Sequence, residues 1–167
     1  WRICLWLNAF LFSHCFEAVR VGADEKTDQN GIAGRYIGDL GISDDPAVIF
    51  AEDFEDADLD EIGKRWDTVR DAEVMSFSDD VPKGSGGKHS FLISQLAEKG
   101  TGADLYRRLG EGYDKLYTRM YVKFAEDCEP VHHFGTCVGG NNPATPWPSV
   151  RAGQPTDGNK SFWVGIE

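Results

Sequence analysis

The run Leu116-Tyr117-Thr118-Arg119-Met120-Tyr121-Val122-Lys123-Phe124 limits what this chain can fold into more than any other stretch. A strand alternates its side chains between two faces with a period of two. Extended, the run sends Thr118, Met120, Val122 and Phe124 to one side and Tyr117, Arg119, Tyr121 and Lys123 to the other. Helical spacing does not separate these sets, and the residues are rich in strand formers. The first face belongs in a core. The second presents aromatic, cation, aromatic, cation.

The flanking sequence reads as further short strands joined by turns. Residues 47–54 follow the turn signal Asp44-Asp45-Pro46 and read as a first strand. Glu55, Asp56, Asp58, Asp60 and Glu61 then form an acidic patch. It is either a solvated helical turn carrying Leu59 and Ile62 or a calcium loop, and its spacing does not match an EF-hand. Residues 79–88 form a long polar turn without the order of a phosphate-binding loop. Residues 89–96 read as a strand, and 104–109 as a single helical turn with Leu105 and Leu109 on one side. Residues 131–135 read as a strand and 136–148, rich in Gly, Asn and Pro, as a loop. A last strand begins at Ser161, with Phe162, Val164 and Ile166 on one face. It has no partner strand after it, so the expected domain over 47–167 is partial at its C-terminal side, with an edge left to cover.

Two segments precede that domain. Residues 1–18 hold the apolar run Ile3 to Phe12 behind Arg2, too short to span a bilayer and shaped like the hydrophobic part of a signal peptide. The alternative is an apolar helix or strand packed on the domain. Residues 19–46 read as a polar leader or linker, with Gly31, Gly34, Gly38 and Gly41 and few periodic apolar positions. A secreted or periplasmic location is expected, with no membrane contact after signal removal. Cys128 and Cys137 flank a strand connection, and a disulfide between them would suit that compartment; two separate buried thiols are the plainer reading.

Charge narrows the partners. The chain carries 28 acidic and 17 basic side chains, a net charge of -11, and no block of Lys and Arg interrupts the acidic balance. Nucleic acid is therefore not expected as a partner. No metal or cofactor is expected either: His132 and His133 are adjacent and no Cys or carboxylate spacing completes a zinc set. There is no Gly-x-Ser-x-Gly element for a serine nucleophile. Glu52 and Asp53 are candidates for a hydrolytic carboxylate pair, but nothing sets a partner at a defined distance.

The strand 116–124, followed by His132-His133-Phe134 and Gly139-Gly140, resembles secreted bacterial proteins related to jelly-roll polysaccharide lyases of the alginate and glucuronan lyase sort. The opening around 47–55 and the Gly-rich continuation through Trp147-Pro148 are similar too. The resemblance implies an all-β, concanavalin-like jelly-roll β-sandwich whose concave sheet receives an acidic polysaccharide. It implies that Arg119, Tyr121 and Lys123 carry the polar contacts, with His132 or His133 nearby.

Those groups suit eliminative cleavage of a uronate polymer. Arg119 would pair bidentately with the substrate carboxylate and draw charge out of it. Tyr121 or a histidine would take the proton next to that carboxylate. Lys123 would bind a neighbouring carboxylate and Tyr117 would give a flat surface to the sugar ring. In a strand His132 and His133 point to opposite sides; if Phe134 is core, His133 faces the cleft. The competing expectation is a non-catalytic carbohydrate-binding or structural β-sandwich, in which aromatics and cations hold sugar but no base is poised.

Overall fold

Phe54 sits in the main core, 1% exposed, with its ring stacked on Phe91 at 4.8 Å. The computed structural model that shows this describes residues 9–13, 31–94, 102–110, 112–129, 131, 135–146 and 159–166. Around Phe54 gather the buried side chains of Ile62, Trp66, Met75, Phe91 and Ile93. A second, small cluster forms around Ile42.

The elements that deliver these residues are short. β1 (Ala9–Ser13) lies between β2 (Val48–Glu52) and, further along the chain, β7 (Leu116–Arg119), antiparallel to both. Three two-stranded antiparallel sheets complete the strands among the described residues: β3 (Thr68–Arg70) with β6 (Asp104–Tyr106), β4 (Met75–Ser78) with β5 (Ser90–Ile93), and β8 (Cys137–Asn141) with β9 (Ser161–Gly165). β1 comes from the apolar run expected to direct export, and it pairs through Phe10↔Arg119 and Leu11↔Thr118 on the β7 side.

One α-helix, α1 (Leu59–Arg65), follows β2. Its start is written locally. Asp58 accepts a hydrogen bond from the Asp60 N–H at 2.8 Å, and Asp60 and Glu61 place negative charge in the first turn. Lys64 and Arg65 place positive charge in the last. Ile62, on the inner face, is fully buried. Of the two readings of the acidic patch, the structure takes the helical one.

The jelly-roll sandwich that the lyase resemblance implied is not built, and the resemblance falls with it. Among the described residues no sheet is closed or curled over another; one has three strands and the others two, with a helix among them. The physical reason lies in the strands themselves. Among the described residues none exceeds five residues, and backbone turns at positive φ interrupt the chain at Phe54, Ala57 and Asp71. Segments that short cannot wrap two facing sheets around one core. Packing instead runs through α1 and the aromatic cluster, giving a small mixed fold.

Three local expectations change as well. Residues 104–106 form a strand, because Leu105 pairs with Val69 across β3 and packs on the core. Residues 137–141 form β8 despite their glycines. Gly140 lies opposite Phe162, and a Cβ there would meet the Phe162 ring at 2.8 Å, so the missing side chain is what lets the ring lie across the strand. Residues 31–46 are folded, with three 3-10 turns, Ile42 1% exposed and Asp45 5% exposed. Among the described residues no helix is long and apolar enough to cross a membrane.

Candidate functional site

The ladder of β7 ends at Arg119, so the two-faced strand expected to reach Phe124 is only half formed. Thr118 is exposed and Phe124 is 42% exposed, although both were expected inside. Met120, Tyr121 and Val122 are half-buried in succession, and Val122 packs against the main core. Met120 does keep apolar company. With Leu116, Thr118, Arg119 and Val122 it lines an open groove of about 790 Å³, which Phe162 and Val164 of β9 also line.

The second set holds together better. Tyr117 and Arg119 are two apart on β7 and share a face. The Arg119 guanidinium lies 5.7 Å from the centre of the Tyr121 ring, within cation-π range. Tyr117 is 51% exposed and offers its ring to solvent. Three of the four aromatic and cationic residues thus form one surface, and Lys123 extends it along the chain.

Each cation of that surface already holds a carboxylate. Arg119 Nη2 is bonded to Asp39 Oδ1, and Lys123 Nζ to Asp80 Oδ2. The first pair is partly buried, with side chains 30% and 12% exposed. The second is open, at 53% and 45%. Asp39 and Asp80 come from segments that sequence reading treats as a leader and a polar turn. Neither position carries a local signal: each is one acidic residue in a polar stretch, and its partner is more than forty positions away.

Both segments are fastened near the strip. Gly38 backs directly onto the Gly84 carbonyl, at φ 63°, a conformation that suits a residue without Cβ. The Glu55 side chain accepts hydrogen bonds from the Lys88 and His89 N–H groups at 2.8 and 3.1 Å, closing the far side of the 79–89 turn. At the other end of the leader, Asp45 receives the Arg35 guanidinium at 3.0 Å, the Tyr36 hydroxyl at 2.9 Å and the Ala47 N–H at 2.9 Å. The hydrogen bond from Tyr36 to Asp45 raises the tyrosine above its ordinary pKa.

Other candidates resolve differently. Glu52, 2% exposed, accepts hydrogen bonds from Arg65, the Trp66 indole and the Phe54 N–H, so this carboxylate serves the core and is not open to a substrate. Cys128 and Cys137 are not joined. Each sulfur is a thiol beside a nearby carbonyl, Glu129 O at 3.2 Å and Gly135 O at 4.0 Å. His132 and His133 lie outside the described residues. Among the described residues no cluster of His, Cys, Asp and Glu is arranged to hold a metal.

Compared with known protein families, curated proteins and solved structures, the chain matches none.

Proposed function

We propose that this chain binds an acidic, uronate-containing polysaccharide along the strip Tyr117, Arg119, Tyr121 and Lys123. The observation that carries the reading is that both cations of the strip hold a carboxylate. A uronate polymer presents that group on successive rings. Tyr117 adds an exposed ring on which a sugar can lie.

Magnitudes support exchange at Lys123. An ion pair with both partners this exposed contributes roughly 0–1 kcal/mol, so a ligand carboxylate replaces Asp80 at little cost. The chain's negative charge opposes a polyanion at long range. At about 8 Å in physiological salt that repulsion is largely screened, and contact geometry decides. Binding needs no base, and the reading is one of recognition. A secreted or periplasmic location, where such polymers are met, goes with this reading, with residues 9–13 kept in the folded chain.

Affinity electrophoresis in gels containing alginate, polyglucuronate or a neutral glucan tests it. The protein should be retarded by the acidic polymers only, less so as salt rises. Tyr117→Ala and Lys123→Ala should each weaken retardation by roughly three- to tenfold. Equal mobility in acidic and neutral gels would refute the reading.

A further inference from the structure

The segment that supplies Asp39 is built as a strap across the strip. Residues 36–41 leave the Asp45 anchor, turn back against the 82–86 loop at Gly38, and deliver the Asp39 carboxylate to Arg119. Two features make the strap easy to lift. Ile37 and Leu40, its large apolar side chains, are 87% and 61% exposed, so little apolar burial opposes its release. Asp39 itself has φ 63°, the left-handed region that strains a residue with a Cβ. By contrast the base of the strap is fixed, through buried Ile42 and the Asp45 bonds.

We propose that Asp39 is an internal competitor for the ligand carboxylate, and that the 36–41 strap is an autoinhibitory contact over Arg119. The proposal rests on the polysaccharide reading and adds its regulation. The chemistry is an exchange of one carboxylate for another with no net change in bonding. The Arg119 side chain is 30% exposed and that of Asp39 12% exposed, so a carboxylate that takes the place of Asp39 meets a partly desolvated cation. A bound polymer satisfies it. While Asp39 occupies Arg119, the competent fraction of molecules is reduced and the apparent affinity falls with it.

The test compares the full chain, Asp39→Asn and Asp60→Asn by calorimetric titration with oligoguluronate and oligoglucuronate. Asp60 is exposed on α1 and its substitution changes net charge by the same amount. Asp39→Asn should tighten binding by about five- to tenfold, with Asp60→Asn unchanged. If both variants tighten equally, net charge explains the gain and the strap idea is overturned. If the full chain binds and Asp39→Asn binds no better, the strap is not inhibitory, while the polysaccharide reading survives. If no form binds, the strip itself is not a sugar site and both ideas fall. Amide hydrogen exchange gives a second readout on the unmodified chain. Saturating oligouronate should speed exchange over 36–41; slower or unchanged exchange there, with binding observed, overturns displacement.

Discussion

Arg65 grips both carboxylate oxygens of Glu52, Nε on Oε2 at 2.9 Å and Nη2 on Oε1 at 2.8 Å. The pair joins the last turn of α1 to the end of β2, and Asp56 adds a second carboxylate on Nη1. Glu52 has almost no exposed side-chain surface, whereas Arg65 keeps 31%. Losing the arginine therefore strands a buried negative charge with only the Trp66 and Phe54 N–H donors left. Arg65→Met should cost about 3–5 kcal/mol in urea unfolding. Arg65→Lys retains the charge without the fork and should cost clearly less. Equal losses for the two would show that bidentate geometry is not what holds the helix to the sheet.

The aromatic stack behind that pair makes a separate demand. Phe54 is buried against Phe91 although its own backbone stands at φ 60°, a conformation costing roughly 1–2 kcal/mol for an L residue. Two hydrogen bonds hold it there, the Phe54 N–H to Glu52 and the Ala57 N–H to the Phe54 carbonyl, both 3.1 Å. Deleting the ring should cost about 3–5 kcal/mol. Phe91→Ala, which removes the other half of the stack from an unstrained strand, should fall in the same range. Phe54→Leu should be tolerated far better. Denaturant midpoints with unchanged slopes would confirm that only the native state is affected.

Tyr36 gives the strap a response to alkali. Its hydroxyl donates to Asp45, and that hydrogen bond, then burial, hold its pKa above the ordinary tyrosine value. A group whose folded pKa is raised contributes stability below its unfolded pKa, near pH 10, and loses it as pH rises through the folded value. Neutral Tyr36 therefore anchors the strap throughout the physiological range. Above it, a phenolate beside Asp45 and Asp44 loosens residues 31–46. Subtracting the phenolate absorbance titration of Tyr36→Phe from that of the full chain should leave one tyrosine ionising above the ordinary value. A difference curve centred at or below that value would contradict the anchor.

How much of this could be read from the sequence depends on the range of the interaction. The start of β2 after Asp44-Asp45-Pro46, α1 behind the Asp58 cap, and β9 from Ser161 are local patterns, and each forms about where its signal stands. The alternation over 116–124 is equally local, yet the strand stops at Arg119. Its continuation depends on having a neighbour strand to pair with, and among the described residues the β1–β7 ladder runs from Ser13↔Leu116 to Phe10↔Arg119. The strip's aromatics and cations were visible as types. Their carboxylate partners were not, because Asp39 and Asp80 reach them across 80 and 43 residues. The jelly-roll expectation, carried by the resemblance of short motifs, failed for a related reason: such motifs mark strands, but say nothing of which sheet each joins.

The β8–β9 hairpin carries the clearest test of close packing. A Cβ on Gly135 would fall 2.6 Å from the Ile166 carbonyl oxygen and 2.6 Å from its Cβ, whereas on Gly140 the obstacle at 2.8 Å is the edge of the Phe162 ring. Backbone cannot step aside; a ring 47% exposed can rotate towards solvent. Gly135→Ala should therefore cost about 1–3 kcal/mol, the range for overpacking that forces a backbone shift. Gly140→Ala should cost less than that. The same comparison bears on the groove, since Phe162 lines it together with Met120. Displacing the ring at Gly140 should change binding of an apolar fluorescent dye to the protein while leaving the hairpin folded. If Gly140→Ala proves the more damaging of the two in thermal unfolding, the ring is wedged and the groove wall is rigid where its exposure says it should yield.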